Sequence, residues 1–96
     1  IMERIVSSWD PRKAATNLKK HGVPFDEART AFYDENARLI DDPDHSGDEE
    51  RFILLGMSFK LRLLVVCHAY KAGSEIRIIS ARKATKPEYS FYRSQS

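Results

Sequence analysis

The spacing of hydrophobic positions changes character once along this chain, near residue 37. Between residues 11 and 21, Ala14, Ala15 and Leu18 recur at helical spacing, with Lys13, Lys19 and Lys20 among them. That alternation predicts an amphipathic helix. Asp10-Pro11 supplies its start, because the aspartate accepts from an exposed backbone N–H and a proline in the first turn has no donor to waste. Gly22, able to take positive φ, closes it, and Lys19, Lys20 and His21 put cations at the negative end of the dipole. A second helix is predicted from a cap at Asp26 to about Tyr33, with Ala28, Ala31 and Phe32 facing inward. The Gly-Val-Pro turn between the two makes a helical hairpin. Upstream, residues 3–8 offer a short strand through Ile5 and Val6.

From residue 37 onward the period shortens to two. Residues 37–40 form a short strand, an acidic loop follows at 41–48, and residues 51–58, 61–70 and 75–81 are apolar runs rich in branched side chains. Tight connections at Phe59-Lys60 and at residues 71–74 join them into an antiparallel meander. Thr85, with Glu88 three residues later, carries a capping-box pattern for a short last helix. The fold class expected is α+β in one domain, residues 1–96: two N-terminal helices on an antiparallel sheet of about four strands, with a short C-terminal helix. In the run 61–70, Leu61, Leu63, Val65, Cys67 and Ala69 share one uniformly apolar face, expected to pack on the helices. Arg62, Leu64, Val66, His68 and Tyr70 share the other, expected to be partly open.

Composition narrows the class. Ninety-six residues, 42% hydrophobic and 31% charged, make an ordinary soluble domain with one modest core. No apolar run approaches the roughly 20 residues that span a bilayer, and the opening residues lack a signal peptide's apolar stretch. A lone cysteine, Cys67, fits a reducing cytoplasm. The net charge of +2 conceals a split: residues 1–59 carry eight Lys/Arg against twelve Asp/Glu, and residues 60–96 carry eight against two. A basic C-terminal part of that kind suits contact with phosphates, and equally suits solvated faces of strands and helix.

Candidate chemistry gathers on the strands. Arginines at 51, 62, 77 and 82 project from neighbouring strands, and one sheet face has room for two or three together. Guanidinium groups bind phosphate oxygens bidentately and stabilise charge that builds on phosphorus. His68, His45, Glu49 and Glu50 are the available groups for taking a ribose 2′-hydroxyl proton and for protonating a leaving oxygen. The competing reading pairs Arg62 and Arg77 with Glu49, Glu50 or Glu75 in surface salt bridges, and makes His68 a hydrogen-bonded structural residue. No metal site is expected. Asp42, Asp44, Ser46 and Gly47 match the start of a calcium loop, but its twelfth position is Ile53, and the one cysteine and three histidines lack zinc spacing.

Three stretches together resemble the BrnT-type toxins of the RelE-like superfamily. They are Trp9-Asp10-Pro11 with Lys13, Asn17, Lys20-His21-Gly22-Val23 and Phe25; Asp41-Asp42-Pro43-Asp44-His45 with Glu49, Glu50-Arg51-Phe52 and Gly56; and the run from Ile76 to Thr85. The resemblance covers nearly the whole chain. It implies a RelE-like fold and a metal-independent endoribonuclease without cofactor, the toxin of a type II toxin–antitoxin system, which cleaves RNA and blocks translation in the cytoplasm. It further implies a BrnA-like ribbon-helix-helix antitoxin that neutralises the toxin, contact with operator DNA only through that antitoxin, and a toxin dimer within a heterotetramer. The residues it points to are Arg62, Arg77, Arg82, Glu49, Glu50 and His68 for catalysis, with Arg51, His45, Tyr70 and Lys83 as RNA contacts. The rival reading is a module that binds RNA or a protein without cleaving, acting only in an autorepressing complex. The segment 88–96 is less basic than the resemblance would suggest.

Overall fold

A computed structural model describes residues 5–42, 50–72 and 74–94. Its elements run β1 (Ser7–Ser8), α1 (Pro11–His21), α2 (Phe25–Thr30), a 3₁₀ turn (Ala31–Tyr33), β2 (Arg38–Asp41), β3 (Phe52–Met57), β4 (Leu63–Tyr70), β5 (Ile76–Lys83) and α3 (Lys86–Arg93). The expected α+β architecture is present, with five strands in place of about four. The order across the sheet is β1-β5-β4-β3-β2. β2 to β5 form the antiparallel meander, and β1 adds two residues in parallel to the start of β5.

Local chemistry explains the helix ends. Asp10 accepts from Arg12 N at 2.8 Å, and Gly22 closes α1 at φ +71°. Both halves of the Thr85–Glu88 capping box form at the start of α3. α2 is capped by Pro24 instead of Asp26 and gives way to the 3₁₀ turn after Thr30.

One departure from expectation reorganises the molecule: the two faces of β4 are exchanged. Leu64, Val66 and His68 are fully buried on the side of the N-terminal helices, and Leu64 and Val66 join one cluster with Phe25, Ala28, Ala31, Ile78 and Ala81. Each large apolar side chain so buried contributes about 1.5–3 kcal/mol. Leu63, Val65 and Cys67 lie on the opposite face, where Leu63, Val65 and Leu55 form a smaller cluster with Met57 and Tyr92 of α3. The polar members did not force their face open. His68 is enclosed by rings, and Arg62 finds a buried carboxylate on α2.

The inward face of α1 also differs. Ala15 and Leu18 are exposed, and the buried residue is Asn17. Its amide donates to Ala81 O (2.8 Å) and Val23 O (3.0 Å) and accepts from Ala81 N (3.0 Å). β1 covers only the first residues of β5, so this amide stands in for a strand partner farther along that edge and satisfies backbone groups that burial would otherwise orphan.

Candidate functional site

The face of the sheet away from α1 and α2 is covered over only part of its length. α3 lies across one end, held by Tyr92, whose hydroxyl donates to Asp34 (2.6 Å), and by Arg82, which makes two 2.8 Å bonds to Glu88. Arg82 draws the Glu88 carboxyl down to about 2. Burial, and then the Asp34 bond, push Tyr92 up to about 12. Asp34 stays below its ordinary value although burial works to raise it, because Tyr92 and the backbone amides of Met57 and Asn36 all donate to it. Below α3 an apolar groove of about 200 Å³ runs between Ile40, Ile53, Leu55, Val65 and Phe91.

Beyond α3 the same face becomes polar. Arg77 is paired with Ala69 across β4–β5, and Arg51 immediately precedes Phe52, whose β4 partner is His68. Register therefore sets Arg51 and Arg77 on one face, on either side of a residue with no bulk. Arg51 Nε is buried and has no hydrogen-bond partner among the described residues, a state shared only with Arg38 Nε and His68 Nε2. Cys67 lies on this face too, its thiol 3.5 Å from Asp42 Oδ2, with Ser80 as its β5 partner. Burial, then Asp42, push that thiol up to about 11, so at neutral pH it is a protonated donor and not a nucleophile. Asp42 N donates to Arg51 O (3.1 Å).

The sheet distributes the expected residues unequally. Arg51, Arg77 and Arg82 share the phase of the open face, with Glu50 adjoining and exposed. Arg82 is engaged by Glu88. His45 and Glu49 lie outside the described residues. Arg62, His68, Tyr70 and Lys83 belong to the helix side by register. His68 is wholly buried, its ring edge-on to Phe32 at 4.7 Å and Tyr70 at 5.3 Å. Burial holds its pKa below the ordinary value, against a bond to Val66 O.

Arg62 forms the ion pair that sequence reasoning allowed for, but with a partner it did not consider. Its guanidinium chelates Glu27 on α2, with Nε at 2.8 Å from Oε2, and reaches Gly22 O at 3.2 Å. The Arg62 bonds hold the Glu27 carboxyl below its ordinary range despite burial, helped by Ser58 Oγ at 2.7 Å. A signal for Glu27 existed. It falls four residues before Ala31 and beside Ala28, on the inward stripe of α2. Among the described residues no group of three or more His, Cys, Asp or Glu side chains lies close enough to hold a metal ion, and no helix is long and apolar enough to cross a membrane.

Comparison with protein families places residues 9–88 on the model for the ribonuclease toxin, BrnT, of type II toxin–antitoxin systems. The chain belongs to the BrnT family. The crystal structure of the Brucella abortus ribonuclease toxin BrnT superposes with a TM-score of 0.65 at 21% identity, covering 86% of this chain and 100% of that one. At that identity the likeness concerns the fold. Comparison with curated proteins finds no match. BrnT membership makes this a ribonuclease toxin with an antitoxin partner and an RNA target.

Proposed function

We propose that the protein is a metal-independent endoribonuclease toxin that cuts RNA on the open half of the sheet and thereby inhibits translation in the cytoplasm. The observation that carries this reading is Arg51 beside Arg77 by register, with a buried Arg51 Nε that has no acceptor among the described residues. A buried unpaired donor costs free energy unless a ligand satisfies it, and a phosphodiester oxygen is the acceptor that a guanidinium fork fits best. In this reaction the ribose 2′-oxygen attacks phosphorus, the 5′-oxygen leaves, and a 2′,3′-cyclic phosphate remains. Arg51 and Arg77 hold the phosphate and stabilise the added charge. Glu50, or Glu49 or His45 earlier in the sequence, takes the 2′-hydroxyl proton, and a second of these groups protonates the leaving oxygen. Arg62 and His68 serve the fold in this scheme. A BrnA-like ribbon-helix-helix antitoxin neutralises the toxin, touches operator DNA on the toxin's behalf and assembles two toxins into a heterotetramer.

The test is induced expression in bacteria and assay of purified protein with a chelator present. Wild type arrests growth and degrades RNA, with activity unchanged by the chelator. Arg51→Ala and Arg77→Ala each lose on the order of 10²-fold in cleavage, as when one transition-state donor is removed, and keep a native circular dichroism spectrum. Arg62→Ala loses toxicity only in proportion to lost folded protein. Full toxicity in soluble Arg51→Ala and Arg77→Ala would overturn the site, and growth arrest with intact RNA would favour the non-cleaving binder.

A further inference from the structure

A second basic surface lies at the edge of the sheet. α1 reads PRKAATNLKKH and contains no acidic residue. Arg12, Thr16 and Lys20 recur at four-residue intervals, so they stack along one side of the helix, with Lys13 beside them. This side forms one wall of an open groove of about 310 Å³, whose other wall is Ile79 and Ser80 of β5. Among the described residues no α1 side chain takes part in the ion pairs Glu27–Arg62, Lys71–Glu75 or Arg82–Glu88.

Two features separate this stripe from an ordinary solvated helix face. Lys19, Lys20 and His21 sit at the negative end of the helix dipole, where cations stabilise. Arg12 and Lys13 sit at the positive end, where the dipole disfavours them, with Asp10 as the N-cap acid. Dipole chemistry therefore accounts for Lys20 in the stripe but not for Arg12 and Lys13. Ser80 links the groove to the open face. It lines the groove, and the same serine is the strand partner of Cys67 and hydrogen-bonds its thiol on the open face. The pairing of β4 and β5 is shifted by one residue at Cys67/His68, leaving Ile79 as the extra residue of a bulge at the crossing point.

We infer that the groove between α1 and β5 holds the sugar-phosphate backbone of single-stranded RNA away from the scissile bond, so that a long RNA crosses the β5 edge at Ile79-Ser80 to reach Arg77 and Arg51. The inference rests on the ribonuclease reading above. Three cations along about 12 Å of helix engage two or three phosphates without reading base identity.

The experiment compares wild type with the triple variant Arg12→Gln/Lys13→Gln/Lys20→Gln. A long single-stranded RNA blocked by 2′-O-methylation reports binding over a salt titration, and a trinucleotide substrate reports cleavage. In the variant, affinity for the long RNA falls about tenfold at physiological salt, and the slope of log K against log salt flattens by about 2, as expected for three lost contacts on a single strand. Trinucleotide cleavage is unchanged, and a charge-retaining Arg12→Lys/Lys13→Arg/Lys20→Arg variant binds as wild type does. Thermal stability of the glutamine variant is close to wild type, because loss of Lys20 from the favourable end of the dipole offsets loss of Arg12 and Lys13 from the other. Unchanged affinity and slope in a wild type that cleaves would overturn the inference while sparing the cleavage site. Loss of antitoxin affinity with RNA binding intact would overturn it in favour of a protein-docking face. A wild type that cleaves neither the trinucleotide nor an unmodified copy of the long RNA would overturn the ribonuclease reading itself.

Discussion

His68 sits in a box of rings from Phe32, Phe52 and Tyr70, with Nδ1 3.1 Å from Val66 O and Nε2 without a hydrogen-bond partner among the described residues. The bond to Val66 fixes the neutral tautomer with the proton on Nδ1. A second proton would bring an uncompensated charge into a site that water does not reach, so burial holds the pKa below the ordinary 6.5. The sign follows from linkage. Above about pH 6.5 the histidine is neutral in both folded and unfolded chains and imposes no pH dependence. As pH falls from there toward the lowered folded value, the unfolded chain binds a proton that the folded chain refuses, and stability is lost. Denaturation midpoints measured across this window should therefore fall with acid in wild type and stay nearly level in His68→Phe, which keeps a ring in the box. A flat wild-type profile would contradict the assignment. The alternation on β4 put His68 in phase with Arg62 correctly but assigned that phase to the open side. Polarity of single side chains was a poor guide to exposure, because each polar residue on this strand had found its own enclosed partner.

Elements were more legible than faces. α1 began where its cap predicted and Gly22 closed it, the capping box started α3, α2 began one residue ahead of its predicted cap, and the four principal strands lie within about three residues of the apolar runs that announced them. Period-two alternation defines two faces without saying which one a helix will cover, and β4 is apolar enough on both to allow either choice. Gly56 marks where the choice was made. A Cβ built there would stand 2.8 Å from Ala31 O and 3.3 Å from Ala37 Cβ, so β3 and the 3₁₀ turn approach too closely for any side chain. The neighbour is backbone and has little freedom to give way. Gly56→Ala should cost about 1–3 kcal/mol, the range for overpacking, read as a lower urea midpoint with an unchanged slope. A loss under about 0.5 kcal/mol would mean that the turn can move away from the sheet at little cost, as surface substitutions show.

At the scale of the whole molecule, one sheet separates a helix-covered side from the open side on which cleavage is proposed, and the charge split between chain halves does not locate the arginines there. The basic C-terminal part divides: Arg82 is spent on Glu88 and Arg62 on Glu27, while Arg77 joins Arg51 from the other half of the chain. Only strand pairing brings that pair together, which is why counting charges along the sequence could not find it. The same sheet raises the question of whether the molecule unfolds as one. α1 contributes little apolar burial, with Leu18 about half exposed, so it has the look of an element that could detach first. Asn17 argues against this. Its three hydrogen bonds tie α1 to Ala81 in the middle of β5 and to Val23 at the entry to α2. Releasing the helix would strand those backbone groups, at about 1–3 kcal/mol for each one left unsatisfied. Trp9, the only tryptophan, reports on this end of the molecule through its edge-on contact with Phe25 at 5.9 Å. Its fluorescence and the far-ultraviolet circular dichroism should give superimposable urea transitions in wild type. In Asn17→Ala the fluorescence transition should move to lower urea ahead of the dichroism, since the hook that couples helix to sheet is gone. Separate transitions already present in wild type would show that the amide does not provide this coupling.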